Sequence, residues 1–155
     1  MDVELRDAAP GDLVGVRGLI EEYVRALGVD LGFQEIETEL SDLAAAYPPH
    51  GGGILVGVAG EELAGCVALR PLEPGTCEMK RLYVRPAFRG CGLGKRLAVA
   101  VIVKARDLGY DRMRIDTLPQ MRAARGLYAE LGFRTIEPYR FNPVEGTAFM
   151  ELELR

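Results

Sequence analysis

A mixed β-sheet with helices packed on it is the fold class the sequence predicts, an α/β (α+β) arrangement. Three observations predict it. Apolar runs of strand length and helical periods follow one another in the order β-α-α-β-β-β-α-β-α-β-β. Gly and Pro punctuate nearly every join between them. Finally, 48% hydrophobic and 27% charged residues is the balance of a folded soluble protein rather than a disordered one. A chain of 155 residues is the size of one ordinary domain with one core, so a single domain over 1–155 is expected.

The elements follow in order. Val3 and Leu5 alternate with charged neighbours, as in a short first strand. Pro10-Gly11-Asp12 offers a helix start, and Leu13, Val16, Ile20, Tyr23 and Leu27 recur at helical spacing until Gly28. The stretch VDLGFQ reads as a loop. A second helix is signalled by Ile36, Leu40, Leu43 and Tyr47 and stopped by Pro48-Pro49. Ile54 to Ala59 and Leu63 to Leu69 flank Gly60-Glu61-Glu62 as a hairpin, and Cys77 to Val84 is another strand. A helix is predicted from about Leu93 to Leu108, with Leu97, Val101, Ala105 and Leu108 on one side and Gly109 as the stop. Met113, Ile115 and Thr117 alternate with Arg112, Arg114 and Asp116, a strand with one polar face. Pro119 begins a last helix carrying Met121, Ala124, Leu127, Tyr128 and Leu131 up to Gly132, and Phe149 to Leu154 makes the final strand.

Composition narrows the function. The longest aliphatic run, Leu97 to Val103, ends at Lys104, far short of the roughly 20 apolar residues of a membrane span. MDVELRD carries charge where an export signal would be apolar, so a cytoplasmic location and no membrane partner are expected. Cys66, Cys77 and Cys91 form no C-x-x-C pair, which argues against a disulfide framework and against a zinc site; no metal is expected. His50 stands alone in a Pro/Gly-rich loop. Between Met79 and Arg106 lie eight basic residues and no acidic one, against 11 basic and 23 acidic elsewhere. A local +8 thus sits in a chain whose remainder carries −12. A compact polyanion suits that concentration. A nucleic acid asks for a broadly basic surface, so no nucleic-acid partner is expected.

The basic stretch contains PAFRGCGLGKR, between a predicted strand and a predicted helix, where unpaired N–H groups and the positive end of a helix dipole converge. Phosphate binds well at such a place. A Walker A loop is excluded because Gly90 and Gly94 are one residue too close and Arg96 stands where a hydroxyl should be; a dinucleotide fingerprint fails because Lys95 replaces its last glycine. A purely structural Gly-rich turn remains the other reading of the loop taken alone.

The loop has company. Arg89-Gly90-Cys91-Gly92-Leu93-Gly94 resembles the [RQ]-x-x-G-x-[GA] signature of the GNAT superfamily of acyl-CoA-dependent N-acetyltransferases, with LYVRP upstream and GLYAELGF downstream also matching, so that the specific likeness runs from about residue 76 to 134. The resemblance implies a mostly antiparallel sheet of about seven strands flanked by about four helices. It implies acetyl-CoA as the acyl donor, its diphosphate gripped by the main chain from Arg89 through Gly90, Cys91, Gly92, Leu93 and Gly94 to Lys95, and its pantetheine arm paired with Leu82, Tyr83 and Val84. The asparagine that many members carry seven residues before the motif tyrosine is Met121 here.

By the same resemblance Glu78 is the expected general base and Tyr128 the acid for the departing thiolate. An alkylammonium must lose its proton before it attacks a thioester, and a neutral phenol can protonate a thiolate. Tyr23, Phe33, Tyr139 and Phe141 are candidate linings of the acceptor site, and acidic residues in 21–42 favour a cationic amine if they face it. The expected function is direct acetyl transfer from acetyl-CoA to a primary amine of a small molecule or peptide, with a homodimer as a possible assembly. The alternatives are a catalytically silent acyl-CoA sensor and, from the basic stretch alone, a nucleic-acid binder.

Overall fold

The structure is a computed structural model describing residues 2–28, 34–142 and 144–155; Phe33 lies outside them. Seven strands form one sheet: β1 (Glu4–Asp7), β2 (Gly53–Ala59), β3 (Glu62–Glu73), β4 (Thr76–Val84), β5 (Arg112–Thr117), β6 (Arg134–Ile136) and β7 (Ala148–Glu153), in the order β1-β2-β3-β4-β5-β7-β6. Every neighbour pair is antiparallel except β4 and β5. Among the described residues five α-helices accompany them: α1 (Leu13–Leu27), α2 (Gln34–Ser41), α3 (Leu43–Ala46), α4 (Leu93–Asp107) and α5 (Arg122–Glu130).

Strand alternation divides the core between two faces. On one, Leu93, Leu97, Ala98, Val101, Ile102 and Ala105 of α4 cover Val67, Leu69, Cys77, Met79, Met113 and Ile115. On the other, Val16, Leu19 and Ile20 of α1, with Leu43 and Tyr47, cover Ile54, Val56, Cys66, Ala68 and Tyr83. The period-2 pattern of β5 behaves as its sequence predicts: Met113, Ile115 and Thr117 are buried while Arg112, Arg114 and Asp116 turn to the opposite face.

Two irregularities in β4 set up the site. First, β4 and β5 pair only from Thr76–Arg112 to Glu78–Arg114, after which the strands part, leaving the edge of β4 from Met79 to Val84 unpaired beside β5. Second, the register against β3 passes from Ala68–Lys80 to Cys66–Tyr83. Arg81 and Leu82 therefore stand opposite one residue, a β-bulge. Arg81 takes φ +59° there, a left-handed conformation that costs a bulky residue of order 1–3 kcal/mol. It is held by a bidentate ion pair in which its Nε and Nη2 donate to Glu39, both at 2.9 Å. The bulge re-aims the strand: beyond it Leu82 and Val84 pack toward α4 and Tyr83 toward α1.

Three boundaries differ from the sequence reading. The second helix is broken at Asp42, whose carboxylate accepts from the Ala45 N–H at 3.1 Å and so starts α3 afresh. The last helix begins at Arg122 rather than Pro119, because the Met121 N–H closes a turn onto the Leu118 carbonyl at 3.0 Å first. The strand predicted over Leu63–Leu69 runs on to Glu73, through Pro71.

Candidate active site

The glycine loop forms as an anion cradle should. Pro86–Phe88 is a tight turn closed by the Arg89 N–H on the Pro86 carbonyl (3.3 Å). Gly90 and Gly92 take φ +83° and +81°, and a side chain on either would meet nothing within 4 Å. The requirement for glycine here is therefore the left-handed backbone, and the space above it is open. The first bond of α4 runs from the Arg96 N–H to the Gly92 carbonyl at 3.0 Å, so the N–H groups of Leu93, Gly94 and Lys95 precede the ladder and are free to donate. Arg89 is set beside them, its Nε donating to the Val84 carbonyl at 2.9 Å and its guanidinium 5.7 Å from the Tyr83 ring centroid.

From this cradle a cleft of about 700 Å³ runs between β4 and α5. Of the residues expected to hold the cofactor, Leu82, Tyr83, Val84, Arg89, Gly90, Gly92, Leu93 and Gly94 line it; Cys91 and Lys95 do not. Cys91 turns its Sγ to the Phe88 carbonyl at 3.1 Å, and Lys95 pairs with Glu130 of α5 at 2.7 Å. The opposite wall is Gln120, Met121, Arg122, Ala124 and Leu127. Arg122, exposed at the start of α5, is a cation at this cleft that the sequence reading overlooked.

Where β4 and β5 part, a cavity of about 30 Å³ is enclosed by Tyr23, Met79, Lys80, Arg81, Leu82, Ile115, Asp116, Met121 and Tyr128, room for a water molecule. Burial raises Tyr128 well above an ordinary phenol, with the negative end of Asp116 among the lesser causes, so it is neutral and able to donate at physiological pH. Burial lowers Lys80, against the opposing pull of Asp116. Burial alone would raise Asp116, but Lys80, 3.8 Å away, and Arg140 outweigh it and hold the carboxyl below its usual range.

The third space, about 940 Å³, lies on the α2 side of the sheet, lined by Glu39, Asp42, Arg70, Lys80, Arg81, Tyr139, Arg140 and Phe141 among others. It meets the small cavity at Lys80 and Arg81, as the cleft from the glycine loop does at Tyr23, Leu82 and Met121. Glu78 lies behind its wall with 0% exposure. The Nε of Arg70 donates to its Oε1 at 2.9 Å, the Tyr139 hydroxyl donates to its Oε2 at 2.7 Å, and Arg140 also donates to Oε2. Glu78 lines none of the three spaces. The carboxylate expected to act as the general base is thus enclosed by three side-chain donors. The cause is that an apolar strand can bury a carboxylate only by surrounding it with donors. Burial, with Glu78 adding to it, raises Tyr139 far above an ordinary phenol.

Two carboxylates of the acidic stretch 21–42 are already paired. Glu22 pairs with Arg85 at 3.2 Å and accepts from the Tyr83 hydroxyl at 3.2 Å, and Glu39 is committed to Arg81. Cys66 and Cys77 are free and buried, which pushes each up to about 12. Among the described residues no group of three or more His, Cys, Asp or Glu could hold a metal ion, and no helix is long and apolar enough to cross a membrane.

A main-chain anion cradle, a channel along an unpaired strand edge and a chamber meeting it at a strand fork define an acyl-CoA-dependent transferase. Comparison with known proteins agrees. The family model described as "Acetyltransferase (GNAT) family" matches residues 17–133. An uncharacterized N-acetyltransferase of Schizosaccharomyces pombe is 43% identical over 150 residues, covering 94% of this chain and 90% of that one. A GNAT-family acetyltransferase of Staphylococcus aureus superposes with a TM-score of 0.84 at 17% identity, over 99% of this chain and 100% of that one. An N-acetyltransferase of Thermoplasma acidophilum in complex with coenzyme A gives 0.77 at 19% identity, over 99% of each. The chain belongs to the acetyltransferase (GNAT) family, and it is an acyltransferase whose acyl donor is acetyl-CoA.

Proposed function

We propose that the chain, acting as one catalytic unit, moves the acetyl group of acetyl-CoA directly to a primary amine of a small molecule or peptide. The observation that carries this is the fork between β4 and β5: it is the one place among the described residues where the cleft leading from the glycine loop and the α2-side chamber come together. The diphosphate sits on the N–H groups that open α4. The pantetheine arm runs along the unpaired edge of β4, and the thioester carbon lies in the fork, where main-chain groups released by the Arg81 bulge can polarise its carbonyl.

The acceptor enters from the chamber side. Its ammonium loses a proton, the amine attacks the thioester carbon, and the carbon–sulfur bond breaks. Tyr128, kept protonated by burial, donates to the departing sulfur. The amine proton reaches Glu78 by way of the Tyr139 hydroxyl or a water, since both Glu78 oxygens are already engaged. Thiol release from acetyl-CoA over a panel of amines tests the reading. Transfer with at least one amine class supports it, whereas tight acetyl-CoA binding with no release across the panel leaves a silent acyl-CoA sensor. The proton route is tested by Glu78→Gln beside Asp116→Asn: Glu78→Gln should lower kcat by about 100-fold or more and Asp116→Asn by less. The reverse ranking moves the base into the fork.

A further inference from the structure

We propose that the acceptor is an amino acid, whose carboxylate docks on Arg70 and Arg140 in the α2-side chamber while its amine reaches the β4–β5 fork. What then happens at the amine rests on the acetyl-transfer reading; the docking itself does not.

Two guanidiniums converge on one carboxylate at the chamber wall. Arg70 gives Glu78 its Nε and Arg140 gives it Nη2. A guanidinium has five N–H donors, so both terminal amino groups of Arg70 and most donors of Arg140 remain unused by any acceptor among the described residues. Their side chains are 31% and 27% exposed, and both line the chamber, while Glu78 is wholly enclosed behind them. The trio therefore carries one positive charge in excess, facing the open side.

The neighbouring cations offer no such excess. Arg81 is matched by Glu39, and Lys80 by Asp116. A planar monoanion with two oxygens is what a guanidinium fork matches, and one such group brings the trio to charge balance. A bare amine has nothing to offer these donors and would add a cation beside them. The same wall carries Asp42, which no described cation pairs, so a dianion such as a phosphate monoester meets more repulsion there than a monoanionic carboxylate does.

A ligand that covers these half-exposed donors without supplying a carboxylate shuts them off from water and leaves them unpaired, which makes the site a discriminating one. Tyr139, fixed by its bond to Glu78 and packed edge-to-face against Phe149 at 5.2 Å between centroids, gives the chamber a rigid wall beside the docking point.

The experiment compares the proteinogenic amino acids with their carboxamides and with the corresponding decarboxylated amines. It has two readouts: calorimetric binding to protein loaded with coenzyme A, and thiol release from acetyl-CoA. At least one amino acid should bind and turn over with kcat/KM about 100-fold above its carboxamide. Arg140→Gln and, separately, Arg70→Gln should each raise KM for that amino acid about tenfold or more, with kcat moved less and acetyl-CoA affinity unchanged; the last measurement certifies the fold. Carboxamides or decarboxylated amines binding as well as the amino acids overturn the proposal and leave acetyl transfer standing. Amino acid binding with no thiol release from any amine of either panel supports the docking and removes the transfer reading. Absence of binding by every amino acid overturns the docking, whatever the turnover of other amines.

Discussion

The two faces of β4 are built by opposite means. Toward α4 and α5 the surface is main chain: left-handed glycines, a helix start and an unpaired strand edge, with Arg89 and Arg122 the described side-chain cations that line the cleft. Toward α2 it is done by side-chain charges held in mutual pairs, Arg81 with Glu39, Lys80 with Asp116, Arg70 and Arg140 with Glu78. The difference leads us to expect that the glycine-loop half, built from backbone, tolerates varied side chains provided the glycines stay. The acceptor half depends on each partner and changes character with a single substitution.

Substitutions at the join and on either face break or sharpen that comparison. The largest effect is expected at the join: Tyr128→Phe should lower kcat by about 10²- to 10⁴-fold while leaving acetyl-CoA affinity unchanged in calorimetry, because the ring packing against Phe133 at 5.6 Å survives. Unchanged turnover would remove the phenol from the mechanism.

On the acceptor face, Glu39→Gln strands the buried Arg81 in its left-handed conformation and should cost about 3–5 kcal/mol of unfolding free energy at pH 7, read by denaturant titration. Burial alone would raise Glu39, but Arg81 more than offsets it, so the folded carboxyl lies below its usual range. Its contribution is thus complete above the unfolded value near 4 and is lost as pH falls through the folded value. The gap between wild type and variant should close below about pH 4; a gap constant with pH would place the effect in packing instead.

The donor face should respond more mildly and more selectively. Gly92→Val forces a β-branched residue to φ +81° and crowds the cradle, so the acetyl-CoA Kd should rise about 10- to 100-fold with kcat at saturation near wild type. Lys95→Ala is the smallest: its partner Glu130 is 60% exposed and Lys95 itself 53%, and such a pair is worth at most about 1 kcal/mol. A Kd shift of more than about fivefold there would mean the lysine leaves Glu130 for the cofactor.

The same contrast explains what the sequence disclosed. The cradle was legible because its determinants are contiguous: glycines at alternate positions between a strand and a helix. The polar face of β5 was legible from its alternation, and Tyr128 from the local motif around it. Arg70 and Arg140 escaped because they meet only across long range, 62 residues separating Glu78 from Arg140. A signal for one of them existed: the turn at Pro74-Gly75 sets Arg70 opposite Glu78 in the hairpin of β3 and β4. The bulge at Arg81 left no local trace, since arginine is not a residue that announces a left-handed backbone. The split of the second helix was written in Asp42 as an N-cap, obscured by apolar spacing that ran through it.

The most direct test of the central claim is a structure of the protein with acetyl-CoA bound. The account places the diphosphate on the N–H groups of Leu93, Gly94 and Lys95, the pantetheine along Leu82 to Val84, and the thioester carbon between β4 and β5 within reach of Tyr128. A cofactor that runs elsewhere, or a fork that stays closed with β4 and β5 paired beyond Glu78, would contradict it.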